Sequence, residues 1–123
     1  MTGRIGNDET KGFYGVSKLF LFPSVFDVDC IVKREAAAFS VPTVFLRDTY
    51  TSAECIDNVN GYIADAGEEA FAEKIIEAIT DEPARARVGE EAKRTLALSW
   101  ESSIKQVVGY YHELIEQKAC TGN

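Results

Sequence analysis

The sequence predicts an α/β fold of three layers: a short parallel sheet of three to four strands with helices on both faces, followed by C-terminal helices. Three observations predict it. Leu19-Phe20-Leu21-Phe22 is an apolar run without alternation, the pattern of a parallel strand covered on both faces. Thr43-Val44-Phe45-Leu46 is a second such run, β-branched and aromatic, and it follows an Ala-rich stretch of helical length. Strand, helix and strand in succession imply a parallel pair. From Gly67 onward the composition shifts to Ala, Glu, Lys and Ile, with apolar residues at helical spacing.

Taken in order, Thr2 to Gly6 ends on glycine and reads as the tail of a strand. Asp8 to Ser17 carries Phe13, Tyr14 and Val16 among polar residues and reads as a short amphipathic helix leading into the Leu19 strand, which Pro23 stops. The next helix should begin near Cys30 with Asp29 as N-cap and run through Glu35 to about Phe39, where Ser40-Val41-Pro42 ends it. Thr51-Ser52-Ala53-Glu54 has capping-box spacing and predicts a short helix to about Asp57, with Glu54 as a capping residue. Asn58-Val59-Asn60-Gly61 is a turn in which Asn60-Gly61 tolerates positive φ, and Tyr62-Ile63-Ala64 is the strand after it.

Phe71, Ile75, Ala78 and Ile79 mark a helix to about Thr80. Pro83 suits the first turn of the next, which carries Val88, Ala92 and Leu96 and ends before Ser99. A last helix starts near Trp100, whose ring is expected to anchor it by burial. Its stripe of Ile104, Val107, Val108, Tyr111 and Ile115 is that of a helix packed against a neighbour. Residues 1–118 read as a single partial domain and 119–123 as a frayed tail.

Composition narrows the function. Thirteen Lys and Arg against 20 Asp and Glu give a formal charge of −7, which argues against a phosphate-backbone binder, so no nucleic-acid partner is expected. Cys30, Cys55 and Cys120 are far apart and odd in number, and the one histidine, His112, is given no role, so neither a disulfide framework nor a metal site is expected. No segment approaches the roughly 20 apolar residues of a membrane span, and the N-terminus lacks the apolar core of a signal peptide, which makes the cytoplasm the default compartment.

The chemistry concentrates between Leu19 and Ala38. In open α/β sheets ligands bind beyond the carboxyl ends of the strands, where loop amides and a helix N-terminus favour anions. Asp27 would lie in that loop, and Glu35, in the second turn of the helix, would lean back toward the same crevice. The N–H groups of Cys30, Ile31 and Val32 fall in the first turn, where intrahelical partners are lacking. Cys30 itself is expected to be a small buried residue, and Lys33 and Arg34 to be solvated.

The order Phe22-Pro23-Ser24, acidic Asp27, seven residues, Glu35-Ala36 resembles the donor-binding end of family 4 retaining glycosyltransferases of the GT-B fold, whose signature is E-x7-E. The likeness continues through Val41-Pro42-Thr43-Val44, Glu54, Asn60-Gly61 and the Ala/Glu-rich helix to Ser99-Trp100. It implies the C-terminal part of a second, Rossmann-like, donor-binding domain. It also implies that Glu35 binds the ribose of a UDP- or GDP-linked sugar donor, while Asp27, Cys30, Ile31 and Val32 approach the donor sugar and diphosphate. No cofactor besides that substrate is implied. The implied role is hexosyl transfer with retention in polysaccharide or glycolipid biosynthesis, the parent protein sitting in the cytoplasm or peripherally at the inner membrane face.

Three departures qualify the likeness. The first acid is Asp27 rather than Glu, and the glycine-rich segment after it is here Val28-Asp29-Cys30. The family's N-terminal acceptor domain and its diphosphate-clamping half have no counterpart, so no complete catalytic site is expected and the chain alone should be inactive. If the parent sheet follows the order 3-2-1-4-5-6, this chain keeps the end of strand three and strands four to six. The strand at 19–22 then has an open edge, and homo-oligomerisation through it is expected. The alternative is a non-enzymatic, self-associating or partner-binding α/β module. A flavodoxin-like or receiver domain is a third, weaker option, because the first strand lacks the expected acidic cluster or phosphate loop.

Overall fold

A computed structural model describes residues 2–28 and 30–122. Along the chain run α1 (Asn7–Val16), β1 (Phe20–Phe22), α2 (Ile31–Ala38), β2 (Thr43–Leu46), a 3₁₀ turn (Tyr50–Ser52), β3 (Tyr62–Ala64), α3 (Glu68–Thr80), α4 (Glu82–Leu96) and α5 (Trp100–Thr121). The strands form one parallel sheet in the order β1-β2-β3, with Leu21 opposite Val44 and Val44 opposite Tyr62. Side chains alternate across a strand, so this register sends Val44, Tyr62 and Ala64 to one face. There they pack with Leu19, Phe71, Ala78 and Val88. On the other face Phe20 meets Tyr14, Ala36 and Val41. Helices on both faces of a parallel sheet are the predicted α/β architecture.

The strand covered on both faces is β2 rather than β1: Val44 and Phe45 are each 0% exposed, whereas β1 pairs only with β2 and its Leu21 is 45% exposed. An edge strand has one neighbour to bury it, which is why an unbroken apolar run did not become the centre. Thr2 to Gly6 forms no strand; no ladder partner lies beside it among the described residues. Cys30 is the N-cap of α2, without a side-chain capping bond, and Asp29 lies outside the described residues.

The helix expected over 51–57 is replaced by the 3₁₀ turn. Thr49, two residues earlier than the predicted cap, closes it, with the Ser52 hydroxyl donating to the Thr49 carbonyl at 2.9 Å. The capping pair of this turn is thus Thr49 and Ser52 rather than Thr51 and Glu54. Positive φ falls on Asn58 and not on Gly61, which is needed for space: a Cβ there would lie 2.7 Å from Cys55 Sγ and 3.2 Å from the Thr43 carbonyl oxygen. Asn60 is 4% exposed, its Oδ1 accepting from Ile56 N at 2.7 Å and its Nδ2 donating to the Glu54 carbonyl and Thr95 Oγ1, both at 3.1 Å.

Helix α4 begins as predicted, with the Asp81 carboxylate accepting from Ala84 N at 3.0 Å and Pro83 in the first turn. Its far end lies on α2, where Ala92 and Leu96 pack against Ala37. Helix α5 departs from expectation. Ile104, Val107, Val108, Tyr111 and Ile115 are all exposed, and Trp100, expected to be buried, is 83% exposed. The stripe is apolar but faces no neighbour among the described residues. The helix continues through Thr121, and Asn123 of the expected tail lies outside the described residues.

Where α4 crosses the end of α2 the backbones nearly touch. Ser40 N donates to the Ala37 carbonyl at 2.9 Å and Val41 N to the Ala36 carbonyl at 3.0 Å, a Schellman closure that puts Ser40 at φ 57°. Gly89 sits on that turn, and a Cβ there would overlap the Ser40 carbonyl oxygen and lie 3.3 Å from Pro42 Cδ. Gly89→Ala should therefore cost about 1–3 kcal/mol through overpacking against backbone. Gly109→Ala, in the open on α5, should gain about 0.5–1 kcal/mol of helix stability. Urea unfolding of the two variants checks both signs.

Candidate functional site

The loop 23–30 leaves the carboxyl end of β1 and enters α2. In it Asp27 is exposed, and its Oδ2 accepts from Ser24 Oγ at 3.1 Å. Cys30 is buried at the cap as expected. The α2 ladder begins with Lys33 N donating to the Cys30 carbonyl at 3.3 Å, so the N–H groups of Ile31 and Val32 precede its first bond. Glu35 is exposed in the second turn and its Oε2 accepts from the Tyr14 hydroxyl at 3.4 Å. Burial, then the adjacent Glu35 charge, push the Tyr14 phenol up, so it stays a donor at neutral pH. The same ring stacks on Phe39 at 5.9 Å and meets Phe20 edge-on at 6.0 Å, fixing α1 over α2.

Glu35 also lines a groove of about 550 Å³. One wall is Ile31, Arg34, Glu35 and Ala38 of α2; the other is Leu98, Trp100 and Ser103 from the α4–α5 junction. Of the residues singled out in the sequence, the groove brings Ile31 and Glu35 together. Asp27 stands in the loop, outside the two walls.

Lys33 and Arg34 are not solvated. Lys33 is 2% exposed, on the same helical face as buried Ala36 and Ala37, and its Nζ lies 2.9 Å from Glu54 Oε2 and 3.4 Å from the Thr51 carbonyl. Arg34 reaches the same Glu54 oxygen at 3.2 Å and donates to the Leu96 carbonyl at 3.2 Å. One carboxylate thus ties α2 to the segment after β2, and Arg34 ties it to the end of α4. Sequence reasoning missed this triad, yet the i, i+3, i+4 spacing of Lys33, Ala36 and Ala37 placed the lysine on the buried face.

Cys55 lies under Gly61, and burial, helped by the nearby Asp57 charge, pushes its thiol up to about 12. Asp57 itself sets the start of β3, accepting from Ile63 N at 2.8 Å while its other oxygen lies 3.5 Å from Lys74 Nζ. Among the described residues no three His, Cys, Asp or Glu side chains stand where they could hold a metal ion, and no helix is long and apolar enough to cross a membrane.

The family model described as glycosyl transferases group 1 matches residues 1–95. The chain belongs to that family. An uncharacterized glycosyltransferase of Methanocaldococcus jannaschii is 30% identical over 116 residues, which cover 93% of this chain and 33% of that protein. Sucrose-phosphate synthase from Thermosynechococcus elongatus superposes with a TM-score of 0.79 at 18% identity, covering 94% of this chain and 30% of that one. The chain thus spans about a third of the length of these relatives. Its fold is that of a Rossmann-like portion of a GT-B glycosyltransferase, as the resemblance implied. Helix α5 lies beyond the residues that the family model matches.

Two outcomes follow from the local electrostatics. Glu54→Ala takes one carboxylate away from the buried Lys33 ammonium, but Glu54 is itself 48% exposed at its side chain and water shares the load. The expected loss is about 1–3 kcal/mol, and Lys33→Met combined with Glu54→Ala should recover most of it in urea unfolding. For Cys55 the folded pKa lies above the unfolded value, so the neutral thiol favours the folded state below the unfolded pKa. That contribution disappears as pH rises from about 8.5 toward about 12. Cys55→Ala should therefore flatten the alkaline loss of stability, measured by unfolding at a series of pH values.

Proposed function

We propose that this chain supplies donor-side residues of a nucleotide-sugar-dependent glycosyltransferase that transfers a hexosyl group with retention from a UDP- or GDP-linked donor. The observation that supports it best is the placement of Glu35, an exposed carboxylate in the second turn of α2, the helix that follows the carboxyl end of β1, in a chain of the glycosyl transferases group 1 family. A carboxylate accepts several hydrogen bonds at once and so suits the two hydroxyls of a ribose. The Ile31 and Val32 amides at the start of α2 suit diphosphate oxygens, and Cys30 sets where they point.

Asp27, already accepting from Ser24, keeps further lone pairs for a donor-sugar hydroxyl. In this reading the chain binds donor weakly and is inactive by itself, because stabilising a glycosyl-transfer transition state takes groups converging from a closed cleft. The parent protein serves polysaccharide or glycolipid assembly on the cytoplasmic side of a membrane.

A second reading is favoured by the open edge of β1 and the exposed stripe of α5: a non-enzymatic module that associates with itself or with a partner. Saturation-transfer NMR with UDP and GDP separates the two. Ribose signals should be transferred in the folded protein, and Glu35→Gln should weaken binding by about tenfold or more, the worth of a hydrogen bond to a charged group. No transfer to either nucleotide removes the donor-binding reading. Sedimentation that shows only monomer removes association through β1.

A further inference from the structure

We infer that Glu54 is a positioning residue of the donor site: acting through Lys33 and Arg34, it holds α2 at the rotation that sets the Glu35 carboxylate in place. The inference rests on the donor-binding reading above. Helix α2 has eight residues, about two turns, and the core side of it is made of methyl groups, Ala36 being 0% exposed and Ala37 1%. Apolar burial is not directional, so two alanines resist rotation of a helix poorly. Directional bonds must supply that resistance, and they converge on one carboxylate. Lys33 Nζ lies 2.9 Å from Glu54 Oε2 and 3.4 Å from the Thr51 carbonyl, and Arg34 reaches the same Glu54 oxygen at 3.2 Å.

Successive helical residues are turned by about 100° from one another, so holding Lys33 and Arg34 sets the direction in which the adjacent Glu35 leaves the helix. Lys33 is the sharper constraint. Its ammonium is 2% exposed, and a cation buried that far keeps to its hydrogen-bonding partners. Glu54 is suited to be the fixed point. Asn60 Nδ2 donates to its backbone carbonyl at 3.1 Å, and both Asn60 and Thr51 are buried. In a parallel sheet the segment after β2 lies at the same end as the loop that leaves β1, so the anchor stands beside the donor-side loop. On the α1 side the Tyr14 hydroxyl meets Glu35 Oε2 at 3.4 Å, a long bond that a rotation of α2 would break.

Losing the Glu54 charge has opposite consequences for electrostatics and for position. It makes the surroundings of α2 more positive, which by charge alone tightens a diphosphate, whereas a displaced Glu35 weakens the nucleotide. In the full chain Glu54→Gln should weaken UDP and GDP binding several-fold, up to the roughly tenfold expected of Glu35→Gln, because it acts only by moving that carboxylate. The two losses should therefore not add: in a double-mutant cycle, Glu54→Gln in the Glu35→Gln background should change binding little further. Lys33→Met with Glu54→Ala separates position from stability. Its urea midpoint should return toward that of the parent while nucleotide binding stays weak, since an apolar pair packs without direction. If Glu54→Gln binds as tightly as the parent or more tightly, if its loss adds to that of Glu35→Gln, or if the Lys33→Met, Glu54→Ala variant regains binding along with stability, the positioning role is overturned and the donor reading stands. If the folded parent binds neither nucleotide, or Glu35→Gln binds as tightly as the parent, both fall.

Discussion

Much of this structure depends on one close approach, that of α4 to the turn closing α2. Gly89 rests on the Ser40 carbonyl with no room for a Cβ, and Ser40 takes a left-handed conformation to complete the turn. Because the helices meet there, Ala92 and Leu96 reach Ala37, and the end of α4 falls where Arg34 can bond the Leu96 carbonyl. The groove wall carrying Leu98 and Trp100 inherits its position from that contact. A change at residue 89 would thus be felt at the far end of α4, because packed helices transmit displacement rather than absorb it.

The second organiser is Glu54. Two neighbouring cations of α2, one buried, converge on a carboxylate from the segment after β2. Ion pairs also hold Lys11, Arg47, Lys74, Arg94 and Lys105, but here the pairing does more than neutralise. It fixes the rotation of α2, and with it which helical face carries Ile31, Glu35 and Ala38 to the groove and which carries Ala36 and Ala37 to the core.

Much of this was legible in the sequence. The three strands, α1, α2, α3, α4 and the start of α5 follow from apolar runs, Ala-rich spacing and Pro83, since those signals are local. What escaped was set by tertiary context. Leu19 to Phe22 reads as covered on both faces and, from the expected strand order, as having an open edge; β1 is indeed the edge of the sheet, and it is the full coverage that fails, at Leu21, because only β2 lies beside the strand. Thr51-Ser52-Ala53-Glu54 satisfied the capping pattern, but the Lys33 ammonium, 21 residues before Glu54 in the chain, claimed its carboxylate. Trp100 looked like an anchor because large aromatics usually are. At the site, the pattern around Asp27 and Glu35 was readable, but the groove was not, since Leu98, Trp100 and Ser103 lie more than 60 residues away.

The hydrogen bonds of Asn60 bear on how this protein ages. Asn-Gly is the dipeptide most prone to succinimide formation, in which the backbone nitrogen of the following residue attacks the asparagine side-chain carbonyl and ammonia leaves. Asn60-Gly61 is such a pair, yet its carbonyl oxygen is engaged by Ile56 N, its amide nitrogen by Glu54 and Thr95, and the residue is almost wholly buried. A side chain held from three sides cannot swing into the attacking geometry. Chemical damage at this position is thereby coupled to folding: the native protein guards the pair, and each excursion to the unfolded state exposes it to a loss that refolding does not repair.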